Sequence, residues 1–239
     1  MDIRCLLLAL ALAVAGPALA AETSPPPATT ASMFEQRFPL TSGVLAADFP
    51  QDLQALGQSF AEIDRTEISP PIKMERAFLS LTALRKKYAP QMRFARTDMS
   101  ALVVISLAGF YQSVLRREGT KVCGGFAVDG AGTLFTLGHA ADYALELDRQ
   151  GAAYFAAVAS ALENPDVVGP ATDADWEEVM GGMVAAGHPP SYVVSIAAGK
   201  PSDPDLCPAL TALLRAMVEV RSDAGKRARA DFIQNVAGY

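Results

Sequence analysis

The sequence is poor in the residues from which most catalytic and metal centres are built. Two histidines, His139 and His188, and three cysteines, Cys5, Cys123 and Cys207, are all that its 239 residues contain. A zinc site takes several nitrogen or sulfur ligands at close spacing. Only His139 and Asp142, one helical turn apart, offer a pair, and a histidine at a helix start beside a solvated aspartate is the simpler reading. No metal and no other cofactor is expected. Neither a Gly-x-Ser-x-Gly elbow nor a Ser-x-x-Lys pair occurs, which removes the two commonest serine-acylase signatures. Gly130-Ala131-Gly132 lacks the third glycine and the Lys-Ser/Thr of a phosphate loop, so it reads as a turn. A basic excess is missing too. Lys and Arg number 20 against 26 Asp and Glu, a net charge of -6, which argues against a general nucleic-acid binder.

What is present is apolar. Hydrophobic residues make up 51% of the chain and charged ones 19%, too apolar a balance for disorder throughout. The first twenty residues stand apart. Arg4 and the amino terminus supply a positive start, residues 6–15 form an unbroken apolar run, and Gly16-Pro17 ends it before the small residues Ala18 and Ala20. That is the pattern of a cleaved export signal, and it falls short of the ~20 residues of a spanning helix. A lipid anchor would need a cysteine just after the cleavage point, where residue 21 is alanine. The expected organisation is a signal peptide over 1–20, a flexible Pro/Thr/Ala/Ser leader over 21–32, and a single domain over 33–239, periplasmic or secreted. No membrane span is expected after signal removal, because the apolar stretch 101–110 is only ten residues long.

Export gives the two remaining cysteines a meaning. In an oxidising compartment Cys123 and Cys207 most simply form one disulfide, worth about 4–5 kcal/mol in the chain-entropy model. The rest of the pattern is helical. Leu53, Leu56, Phe60 and Ile63 line one face of a helix begun by Pro50; Met74, Phe78, Leu81, Leu84 and Tyr88 line another, ended by Pro90. Asp98 caps a buried central helix that Gly119 ends. A long helix follows from His139 to Leu162, then one capped by Thr172 and Asp175, one opened by Asp203-Pro204, and a last near Lys226 to Val236. Residues 126–137 could form a short hairpin around Asp129-Gly130, and 192–196 could form a strand. The expected fold is all-α, about seven helices, bundle-like or orthogonally packed.

Charge is segregated. Residues 65–122 carry eleven basic and four acidic side chains, whereas 123–200 carry two basic and ten acidic. Either the halves pack together and neutralise each other, or Arg85, Lys86, Lys87, Arg93 and Arg96 form an open patch that docks a partner. The acids Asp173, Asp175, Glu177 and Glu178 crowd a helix start, where they suit the helix dipole better than glycoside cleavage.

Two resemblances bear on function. Cys123-Gly124-Gly125-Phe126 resembles the Cys-x-Gly-Phe core of cell-wall cysteine peptidases with a papain-like fold. That likeness implies a Cys123 thiolate with His188 as base, although Val122 replaces the usual acidic residue and His188 precedes Pro189-Pro190. Over more of the chain, a charged helix, Tyr88-Ala89-Pro90, an apolar helix, Cys123, an acidic middle, Cys207 and a final helix look like a loose group of exported helical bacterial proteins without assigned function. This resemblance implies a fold and a disulfide, and no activity. The leading expectation is a non-enzymatic exported protein that binds another envelope or secreted protein, as an inhibitor or immunity-type partner does. The rivals are a wall thiol peptidase using Cys123 and His188, and a carrier of a small apolar ligand between helices. The exported chain should begin at Ala21; intact-mass measurement checks this, and full-length chain recovered in the membrane fraction would be the contrary result.

Overall fold

Prolines open helices in this chain more often than they close them. Pro39, Pro50 and the Pro70-Pro71 pair stand in the first turn of α2 (Pro39–Asp48), α3 (Pro50–Arg65) and α4 (Pro70–Met92), where the missing N–H has no helical acceptor to lose. The computed structural model describes residues 33–236, so the signal-like segment 1–20 and the leader 21–32 lie outside the described residues. Before α2 comes α1 (Met33–Arg37); after α4 come α5 (Thr97–Asp129), α6 (Gly132–Thr136), a 3-10 turn at Ala140–Tyr143, and α7 (Ala144–Glu163). The remaining helices are α8 (Asp173–Ala185), α9 (Ser191–Ala198), α10 (Leu206–Glu219) and α11 (Asp223–Val236). The all-α class holds, with eleven α-helices and no strand among the described residues, against the seven expected. The surplus is mainly short helices, whose apolar runs are too brief to show a period.

Several local expectations are corrected. Residues 126–137 are not a hairpin: α5 continues to Asp129, Gly130 turns the chain at φ 67°, and α6 follows. An Asp-Gly pair ends a helix as readily as it turns a hairpin. Residues 192–196 lie in α9, closed by left-handed Gly199. Pro90 does not end α4, which runs two residues further to the fully buried Met92. Asp98 sits inside the first turn of α5 instead of capping it, and its carboxylate takes the Arg96 guanidinium. Asp203 accepts the Asp205 N–H, and α10 starts only at Leu206. His139 precedes a 3-10 turn, so the regular helix begins at Ala144, and Leu162 is exposed. The Thr172–Asp175 capping box is as expected.

The centre is α5, packed against α7 and α10, with Val104, Phe110 and Val114 almost wholly buried. It is long and apolar enough to cross a bilayer, but half of the qualifying stretch is buried. Gly119, at φ 81° and ψ -180°, breaks it into two limbs. Only glycine adopts that backbone region at little cost. The second limb is then pinned to α10 by Cys123 and Cys207, bonded, fully buried, with Cα atoms 5.7 Å apart. A Cβ on Gly124 would lie 2.2 Å from the Pro201 carbonyl oxygen, so the limb approaches that loop backbone to backbone.

Asp148 of α7 fixes α2 from outside. It is 2% exposed and accepts the Leu40 and Thr41 backbone N–H groups at 3.0 and 2.8 Å. These are orphan donors of a helix whose own first residues provide no side-chain cap. The buried carboxylate thus meets the positive end of a helix dipole. Gly119→Ala should lower stability by about 1–3 kcal/mol, whereas Gly109→Ala in the regular first limb, with open space around it, should be neutral or raise it by about 0.5–1 kcal/mol. Urea unfolding of both variants checks this.

Candidate functional site

The corner at Gly119 folds the second limb of α5 back over the first and leaves a cavity of about 240 Å3. Phe78 and Arg85 come to it from α4, Gln150 from α7, and Phe110, Tyr111 and Phe126 from the two limbs. Phe126 lies across Phe110 and Tyr111 at ring separations of 4.7 and 5.0 Å, so the limbs meet through aromatic rings. Burial pushes the Tyr111 phenol up to about 12, which keeps it a neutral hydrogen-bond donor at ordinary pH. An apolar cavity of about 150 Å3 holds a benzene ring, so this one admits a ring or short chain with a polar head.

Arg85 is what sets the cavity apart. It is 6% exposed, its Nε has no hydrogen-bond partner, and its guanidinium carbon lies 4.8 Å from the centre of the Tyr154 ring. The Tyr154 hydroxyl donates to the Arg85 backbone carbonyl and holds that ring in place. Among the described residues no carboxylate pairs with Arg85. Burial pulls its pKa below the ordinary arginine value, yet a guanidinium still keeps its charge. An unpaired buried charge costs several kcal/mol, of which a desolvated cation–π contact returns about 2 kcal/mol. Of the other three buried charges, Asp175 is held by Arg227 and two end on helix termini. Asp148 has the α2 N-terminus, and Arg229, 3% exposed, donates from one terminal nitrogen to the Met217 and Val220 carbonyls that end α10, although its Nε, like that of Arg85, has no partner.

The residues expected from the sequence fare unevenly. Arg85, Lys86, Lys87, Arg93 and Arg96 are not one open patch: Arg85 is buried, Lys87 pairs with Asp52 at 2.7 Å, and Arg96 pairs with Asp98 at 2.6 Å. Lys86 and Arg93 have no ion pair among the described residues. Cys123, bonded to Cys207 and fully buried, carries no thiolate in this state. His188 stacks on Tyr192 in the turn before α9. His139 Nδ1 lies 3.0 Å from Glu118, which also accepts the Tyr143 hydroxyl. Among the described residues no cluster of three or more His, Cys, Asp or Glu could hold a metal. Only one ion pair, Arg117–Glu146 at 3.8 Å, crosses from the basic half to the acidic one, apart from the His139–Glu118 contact. A wider cleft of about 960 Å3 at the start of α5 is mixed in charge, lined by Arg96, Arg221 and Arg229 together with Asp98 and Asp166; Asp98 holds Arg96, and α10 carbonyls hold Arg229.

The cavity itself escaped the sequence reading, although a signal for Arg85 existed. Phe78, Leu81, Arg85 and Tyr88 fall three, four and three apart, so Arg85 lies in the apolar stripe of α4 and not with its neighbours Lys86 and Lys87. Comparison with protein-family models, with curated proteins and with solved structures finds no match.

Two of the crowded acids at the start of α8 have partners within the fold: Glu178 accepts the Ser222 hydroxyl, and Asp175 is held by Arg227. Arg227 grips Asp175 through two hydrogen bonds of 3.0 and 2.6 Å, and the Thr172 N–H adds a third. The guanidinium, helped by that N–H, holds the Asp175 carboxyl well below the usual carboxylate range. A carboxyl depressed in the folded state stabilises it above the unfolded pKa of about 3.9 and loses that contribution as pH falls further. Asp175→Asn should therefore be less stable than the parent at pH 7, with the gap narrowing towards pH 2–3. Urea melts across that range check it.

Proposed function

We propose that the protein is an exported, non-enzymatic helical binding protein that takes a small molecule with an apolar body into the cavity between α4, α5 and α7. The observation that carries this reading is an aromatic-walled cavity of about 240 Å3 that also contains a buried, unpaired cation. Closely packed cores hold few such spaces, and an apolar pocket with a few convergent polar groups is the usual form of a ligand site. Export is supported by residues 1–20 and by a buried disulfide, a bond that persists in oxidising compartments.

The rival readings have less behind them. A thiol peptidase needs a thiolate at Cys123, which the bond to Cys207 consumes. Docking of an envelope protein on the five cations loses Arg85 to the interior and has Lys87 and Arg96 already paired. Titration calorimetry with two eight-carbon probes, 1-octanol and octanoate, tests the carrier reading. At least one should bind saturably at one site, and Ala131→Phe, placed in the cavity lining, should abolish that binding. Binding of neither probe, or binding indifferent to Ala131→Phe, defeats the reading.

A further inference from the structure

We infer that Arg85 is the head-group anchor of this cavity and that the ligand is a monoanion, a small carboxylate on an apolar or aromatic body. The inference rests on the carrier reading and adds the chemical class of the ligand.

Three observations lead to it. The charge count of the lining is one-sided: among the described residues Arg85 is its only charged side chain, with no aspartate or glutamate in the lining. One negative charge therefore closes the balance, and a dianion overshoots it. The geometry suits a planar acceptor. One face of the guanidinium is taken by the Tyr154 ring, no acceptor among the described residues meets the guanidinium, and a carboxylate meets a guanidinium edge through two parallel hydrogen bonds. Neutral donors stand in the same wall, because Gln150 is buried there and Tyr111 remains protonated. The rest of the wall is Phe78, Phe110 and Phe126, which recognises an apolar body and no second charge.

The treatment of the other buried charges strengthens the case. Asp148 and Arg229 each end on backbone groups of a helix terminus. Arg85 sits in mid-helix, with no helix end to answer it. Its partner must come from the cavity.

Octanoate and 1-octanol share a chain and differ in the head, so calorimetric titration of both against the wild-type protein reads the anchor directly. Octanoate should bind at least tenfold more tightly than 1-octanol. Arg85→Met should reduce octanoate affinity tenfold or more and leave 1-octanol unchanged or improved. Arg85→Lys, which keeps the charge and loses the two-pronged edge, should fall between. Equal binding of the two probes by the wild type overturns the anchor while the carrier reading stands; binding of neither overturns the carrier reading itself. Octyl phosphate binding more tightly than octanoate at pH 8 would overturn the monocarboxylate assignment. The wild-type comparison decides the question even if Arg85→Met fails to fold.

Discussion

A single backbone corner organises the centre of this protein. Gly119 takes a conformation that other residues adopt only under strain, and the apolar helix that would otherwise run on to Asp129 doubles back there. The returning limb is short and would gain little from its own helical propensity. It is held by tertiary means: the bond from Cys123 to Cys207, the glycine contact of residue 124 with the Pro201 carbonyl, and the rings of Phe126 against Phe110 and Tyr111. The Cys-Gly-Gly-Phe run that looks like a nucleophile motif is thus accounted for residue by residue as packing, with Gly125 close against Thr133. The limbs meet through bulky rings, and the cavity lies beside that contact, where α4 and α7 face it.

The interior handles charge by a consistent device with one exception. Helix termini carry unpaired N–H groups at one end and carbonyls at the other, and the fold brings a charged side chain of the right sign to several of them. Asp148 serves α2, Asp175 serves α8 within its capping box, and Arg229 serves the end of α10. These contacts also explain why the lopsided halves need few cross-pairings. Within the acidic stretch 123–200, Asp148 is engaged by backbone N–H groups of α2 and Asp175 by the Thr172 N–H and by Arg227 of α11. Arg85 has no such terminus within reach, and its only compensation from the chain is the Tyr154 ring. Asp148, Asp175 and Arg229 each have hydrogen-bonded partners, so a buried guanidinium with none is informative.

What was legible in the sequence is what short-range physics controls. Apolar spacing marked the long helices, Thr172 and Asp175 marked a capping box, and Gly119 marked a break, since caps, periodicity and positive φ depend on neighbours within a turn or two. The cysteine pair followed from composition, with two cysteines beyond residue 20. The short helices at 126–137 and 192–196 were ambiguous because runs of five to eight residues fit a strand as well as a helix.

Tertiary structure alone decided the rest. That Asp148 caps a helix more than a hundred positions away, and that Cys123 meets α10, are facts about which surfaces touch. The same holds for the cavity, whose walls come from α4, both limbs of α5, α7 and the last residue of α11. Arg85 shows the division most clearly. Its place in the apolar stripe of α4 was written in the local spacing, but whether that stripe met a carboxylate, water or an empty aromatic pocket depended on the opposing helices. A residue's own helix sets the direction it faces, and only the packing of distant segments sets what it faces.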